Sequence, residues 1–279
     1  MYNEGIQEVF LMWTTARLKQ EAKHTLSQFG YWKPFLVSLV LALIAGLFSG
    51  AGGISTLKTG INVNVTADLS TQFSQYTDEL WKKISELFSD PLITITSILL
   101  ITFIMLMSIC LSFAWKAFLI DPLTVGKNRY YMEHRGFDSR FDRLFYIFGS
   151  GKYINTVKTM FFYELKIFLW SLLFIIPGIV KSYEYFMVPY ILAENPQIST
   201  KRAFELSKMM TKGEKWHIFV LQLSFLGWEI LASLACGLGF YFLAPYVEAT
   251  HAELYQVMRE KAHGLNFSDY EELPGFFPD

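Results

Sequence analysis

Residues 159–196 read Thr-Met-Phe-Phe-Tyr-Glu-Leu-Lys-Ile-Phe-Leu-Trp-Ser-Leu-Leu-Phe-Ile-Ile-Pro-Gly-Ile-Val-Lys-Ser-Tyr-Glu-Tyr-Phe-Met-Val-Pro-Tyr-Ile-Leu-Ala-Glu-Asn-Pro. Apart from Ser171, residues 167–176 are apolar throughout, too hydrophobic for a solvated helix. Pro177 and Gly178 interrupt the run and form the expected structural hinge between two arms. The second arm carries Lys181 and Glu184 and stops at Glu194-Asn195-Pro196, where Pro196 ends the helix. The architecture depends on whether residues 178–193 return across a bilayer.

The rest of the chain has the same character. Of its 279 residues, 52% are hydrophobic and only 18% charged, and the apolar residues come in blocks long enough for lipid. The formal net charge of -1 hides a segregation of charges along the chain. Two cysteines, Cys110 and Cys236, lie within apolar runs and give neither a disulfide framework nor a four-thiolate metal site. The first apolar block begins only at Pro34, unlike a cleaved secretory signal, so the first span is expected to stay in the protein.

The expected fold is all-α, a polytopic transmembrane helical bundle with amphipathic interfacial helices. Residues 1–32 hold an N-terminal amphipathic helix with Leu18, Ala22, Leu26 and Phe29 on one face, suited to a membrane interface or to packing on the protein's own loops. Residues 33–261 form a single transmembrane domain, with spans near 34–54, 92–119, 159–177, 178–193, 215–236 and 238–258. In the first span Gly46 and Gly50 have the G-x-x-x-G spacing that lets helices approach, within the chain or across a dimer. Residues 55–90, with three lysines and five acids, read as an external loop whose second half is helical. Residues 262–279 read as a mobile cytoplasmic tail.

Charge decides between six crossings and fewer. Residues 116–158 carry eight Lys or Arg against four acids, and Lys201, Arg202, Lys208, Lys212 and Lys215 form a second basic group. Six spans place all of these on the inner face with both termini, whereas four spans near 34–54, 92–119, 160–180 and 216–243 leave the second group outside. The alternative that remains is four spans plus a re-entrant segment. Because loop orientation accounts for the basic, aromatic residues 116–158, nucleic acid is not an expected partner. A faint repeat is also visible, in which Ile120-Asp121-Pro122 and Glu194-Asn195-Pro196 each precede a basic amphipathic stretch and another span.

No nucleophile elbow, phosphate loop, zinc-protease helix or dinucleotide glycine pattern occurs, so the expectation is a protein that is not an enzyme and carries no cofactor. The candidate buried polar or transport residues are Lys181, Glu184, Glu229, Glu248 and His251, costly in lipid and therefore functional by default. Their bland reading is mutual neutralisation: Lys181 with Glu184, three apart, and Glu229 with the Tyr246 hydroxyl. Glu214-x-x-His217 and Glu248-x-x-His251 repeat the spacing of di-iron bundles, but a turn near Gly237 sets the histidines at heights about 9 Å apart, so no metal is expected.

At Trp170-Ser171-Leu172-Leu173-Phe174-Ile175-Ile176-Pro177-Gly178-Ile179-Val180-Lys181-Ser182-Tyr183, at Met187-Val188-Pro189-Tyr190-Ile191-Leu192-Ala193-Glu194-Asn195-Pro196 and over residues 203–216 and 226–228, the chain resembles the Gram-positive bacterial integral-membrane proteins catalogued as domain of unknown function 975. More distantly it is similar to the membrane portion of some glycerophosphodiester phosphodiesterases, without any match to their catalytic domain. The resemblance implies a multi-pass plasma-membrane protein and carries over no functional residues. The resulting expectation is a non-catalytic envelope accessory or scaffold binding membrane lipids, a protein partner or a second copy of itself. A small transporter using the intramembrane charges is the rival.

Overall fold

A computed structural model describes residues 13–46, isolated positions between 75 and 86, residues 91–234 and residues 238–276. The expected 55–90 loop helix, Gly50 and Cys236 lie outside the described residues or at their margins. The described residues are helical, with turns, a π-helical turn at Lys116–Ile120 and a 3-10 segment at Phe141–Phe145 between helices. They divide into two compact units: residues 46–115, and residues 1–45 with 116–279.

In the first of these units the described structure centres on α3, since α1 (Thr15–Phe29) and α2 (Trp32–Gly46) belong essentially to the other. α3 spans Pro91–Trp115, 25 residues without a charge, and none of its side chains is buried. At 1.5 Å per residue it is about 37 Å long, enough to cross a hydrocarbon core.

The larger unit is built around α4 (Asp121–Glu133), α7 (Val188–Glu194), α8 (Thr200–Met210) and the second half of α11 (Gly239–Gly264). Their inward faces supply Leu123, Val125, Ile191, Leu192, Leu206, Leu254 and Met258, joined by Met187 just before α7, all almost fully buried. α1 lays Leu18, Ala22 and Leu26 against α11, so its apolar face is used inside the protein rather than on a membrane interface. Thr14 caps α1 by accepting from the Arg17 N–H. α2 leaves α1 at a bend of 104° and is tied to α4 where the Tyr131 hydroxyl donates to the Pro34 carbonyl at 2.9 Å.

Two helical hairpins leave this core. The first joins α5 (Tyr153–Leu173) to α6 (Ile175–Glu184), the second joins α9 (Lys215–Leu223) and α10 (Leu226–Leu234) to α11. The hinge of the first is Phe174, extended at φ -157 and ψ 143, and not Pro177-Gly178. Pro177 acts from three residues away: in a continuous helix its ring collides with the Leu173 carbonyl, whereas in the first turn of α6 its missing N–H costs nothing. Gly178 is where the arms touch, since a Cβ there lies 2.7 Å from Ser171 Cα. In the second hairpin Gly239 meets Ala232 in the same way, with a Cβ 2.5 Å from Ala232 Cα. In each hairpin the close pair is seven residues apart, one small residue per arm.

The expected span over 178–193 is not one helix. α6 ends at Glu184, a turn follows, and α7 restarts with Pro189 in its first turn, wholly buried in the core. Pro189 explains the break, because it donates no N–H to Tyr185 and crowds that carbonyl. Among the described residues, Pro91–Glu133 and Lys215–Leu234 are able by length and composition to cross a membrane, with the bent α1 and α2 pair as a third, so the expected six spans are not confirmed. The repeat also changes register: Pro122 begins α4 as Pro189 begins α7, whereas Pro196 follows a helix end.

The tail, expected to be mobile, is docked through residue 276. Leu273 is fully buried, and Arg202 donates to both carboxylate oxygens of Glu272 at 2.6 and 2.9 Å and to the Phe267 carbonyl at 2.6 Å. The Gly275 N–H closes the segment on Glu194 at 2.7 Å.

Candidate functional site

The sequence candidates fall into three places. Lys181 and Glu184, in the last turn of α6, form an ion pair at 2.8 Å, and Lys215 at the start of α9 takes the other carboxylate oxygen at 2.7 Å. The backbone end of α6 is held by α8: the Glu184 carbonyl accepts from Ser207 Oγ at 2.8 Å and Thr211 Oγ1 at 3.2 Å. This is the physical reason for polar residues at 207 and 211 on an otherwise buried face, since they satisfy helix-end carbonyls. Two lysines on one carboxylate leave a net positive charge where α6, α8 and α9 meet.

Glu248 on α11 is paired with Lys127 of α4, and His251 one turn on packs edge-to-face against Phe186 with centroids 5.2 Å apart. Glu229 stands apart, exposed on α10 between the exposed Trp228 and Ile230. Its expected partner Tyr246 packs instead on Phe225 at 5.6 Å. The two Glu-x-x-His pairs are used separately. Glu214 accepts from Trp13 Nε1 at 3.2 Å and binds Lys261 at 2.8 Å, with His217 Nδ1 at 3.4 Å, while Glu248 serves Lys127.

Other buried carboxylates escaped sequence reasoning. Glu133 is held by Arg129 at 2.7 Å and Arg143 at 2.9 Å. Glu194 accepts from the Tyr255 hydroxyl at 2.5 Å beside Arg259, and Glu253 pairs with Arg135 at 2.7 Å. Arg129 also donates to the Ala193 carbonyl at 3.1 Å and stacks 3.8 Å from the Tyr146 ring, so one guanidinium links α4, α7 and the segment before α5. Of these partners only Arg129 and Glu133, four apart on one helix, carry a local signal.

At the α1 and α2 bend, His134 is 1% exposed and stacked on Tyr130 at 5.4 Å, with Phe29 at the same distance. Burial pushes its imidazole below the ordinary histidine range, against an opposing pull from Asp138.

Lysines mark the base of the apolar hairpins. Lys166 Nζ lies 3.6 Å from the Phe204 ring centre, and Lys181 Nζ sits 5.3 Å from Trp170. Beyond them the arms of the first hairpin run 167–173 and 175–180, about 10 Å each. Leu172, Leu173, Phe174, Ile175 and Ile176 form its tip, with Ile175 77% exposed. Two such arms are too short to cross a core of about 30 Å.

The model of a family described as "Protein of unknown function (DUF975)" matches residues 27–262. No curated protein and no solved structure matches the chain.

Proposed function

The chain belongs to this DUF975 family of unknown function, and from that premise we propose that it is an integral plasma-membrane protein working without catalysis, as an envelope scaffold that binds lipid or a protein partner. One contrast carries the reading: charge is drawn inward and apolar surface is turned outward. Glu133, Glu184, Glu194, Glu214 and Glu253 are buried against Lys or Arg, while α3 and the hairpin tips expose Leu, Ile and Phe in unbroken runs. In water that distribution is unfavourable on both counts; in lipid it is expected. The ion pairs of Lys181 and Glu184 and of Glu248 and Lys127 favour a structural role for the charges that a transporter would otherwise use.

The topology that goes with this reading is two crossings and two re-entrant hairpins. α2 and α3 cross around the 55–90 loop, α5 with α6 dips in and returns, and α9 with α10 and the start of α11 does the same, since α11 is back at the charged core by Glu248, nine residues on from Gly239. Both termini and every basic segment are then cytoplasmic, which satisfies the charge rule as well as six spans do. Cysteine labelling tests it in a background with Cys110 and Cys236 replaced by alanine. A membrane-impermeant thiol reagent applied outside should spare both Leu238→Cys and Ile175→Cys. Labelling of both positions restores six crossings, and labelling of Leu238→Cys alone restores four crossings with one re-entrant hairpin.

A further inference from the structure

Where α8 turns into α9, a cavity of about 330 Å³ is lined by Lys208, Lys212, Gly213, Lys215 and Trp216. We propose that it holds the phosphate of an anionic glycerophospholipid; this rests on the membrane reading above and gives it a ligand.

The argument starts from charge. Lys208 and Lys212 are exposed, and among the described residues neither has an acidic partner. Lys215 is shared with Lys181 on the single carboxylate of Glu184, so that neighbour adds positive charge instead of cancelling it. Glu214, the nearest acid in sequence, is turned inward to Lys261 and Trp13. The cavity is therefore walled by three lysines, and the flexible stems of Lys208 and Lys212 let their ammonium groups reach the oxygens of a phosphate seated there.

The surroundings point to a lipid rather than a free anion. Trp216 is 68% exposed at the rim, its ring tilted on Phe219 at 5.2 Å, and the outer face of α9 continues with the exposed Val220 and Leu223. Lysines, then an exposed indole, then an apolar helix face is the order met on passing from the cytoplasm through headgroups into hydrocarbon. A phospholipid seated there places its phosphate among Lys208, Lys212 and Lys215 and an acyl chain along α9.

The full-length protein purified in mild detergent, mixed with equal phosphatidylglycerol and phosphatidylcholine and read by native mass spectrometry, provides the test. The wild type should retain phosphatidylglycerol preferentially, and Lys208→Gln with Lys212→Gln should cut that retention about tenfold or more. Lys201→Gln, whose lysine faces Glu205 at 3.8 Å on the same helix, should leave it unchanged. Equal loss in Lys201→Gln, or none in the double variant, overturns the site. Inorganic phosphate alone should give no thermal protection; protection equal to that of the lipid shows that the cavity takes free phosphate and overturns the lipid assignment. Carbonate washing of membranes separates the two readings. A wild type that washes off overturns the membrane reading and the site together, whereas one that stays while the double variant keeps its lipid overturns the site alone.

Discussion

At the scale of single residues, two positions have consequences out of proportion to their size. Gly178 is held against Ser171 so closely that any side chain must part the arms of the first hairpin. Gly178→Val should lower stability by about 1–3 kcal/mol, the usual cost of overpacking, read as a lower melting temperature in detergent. Enlarging the space with Ser171→Gly in the same chain should recover part of that loss. His134 gives the protein an acid sensitivity whose sign is determined by its burial. Its folded-state affinity for protons is below that of an unfolded histidine, near 6.5, so the unfolded chain binds the extra proton. Stability from this group is complete above about pH 6.5 and is lost as the pH falls below it. Melting temperatures measured between about pH 7.5 and 5.5 should fall for the wild type and fall less for His134→Phe, which keeps the stack with Tyr130 and Phe29.

At the scale of elements, legibility followed the range of the deciding interaction. α3 is readable because its apolar run, its length and its lack of charge are all local. The α5 and α6 hairpin is half readable: Pro177 announces a break, but the residue that yields is Phe174, because proline acts on the carbonyl four residues before it. α7 reads from sequence as the continuation of α6 because buried core and lipid select the same side chains, and only Pro189 hints that the helix restarts. The docked tail left no pattern at all. Arg202 finds Glu272 seventy residues away, and no periodicity reports such a pairing. Arg202→Ala should free residues 265–276, seen as new protease cleavage there, at a cost of roughly 1–3 kcal/mol for a partly buried bidentate pair.

On the membrane reading proposed above, the whole molecule should distribute its stability unlike a protein that folds in water. Neutralising a buried carboxylate should be severe, because its cations remain behind without a partner. Glu214→Gln, which strands Lys261, should cost about 3–5 kcal/mol in unfolding measured in detergent. Leu172→Ala at the exposed hairpin tip should change the same measurement by less than about 0.5 kcal/mol, since no protein neighbour is lost there. If the leucine is the costlier of the two, the outward apolar surface is covered by protein rather than by lipid. The charged core was the least legible part of the candidate site, since Trp13 lies 201 residues before Glu214 and Lys261 lies 47 residues after it. Lys181 with Glu184 was legible because three residues on a helix bring them together without help from the fold.

The closure of the tail on Arg202 bears on how the protein is made. Arg202 leaves the ribosome seventy residues before Glu272, the carboxylate that pairs with it. Until residue 272 is made, the nascent chain therefore carries a guanidinium without that partner, whereas Glu194 already has Tyr255 and Arg259. A chain cut short after residue 264 keeps its apolar helices but displays the unpaired Arg202, a mark by which quality-control proteases are able to tell it from a chain that carries the docked tail.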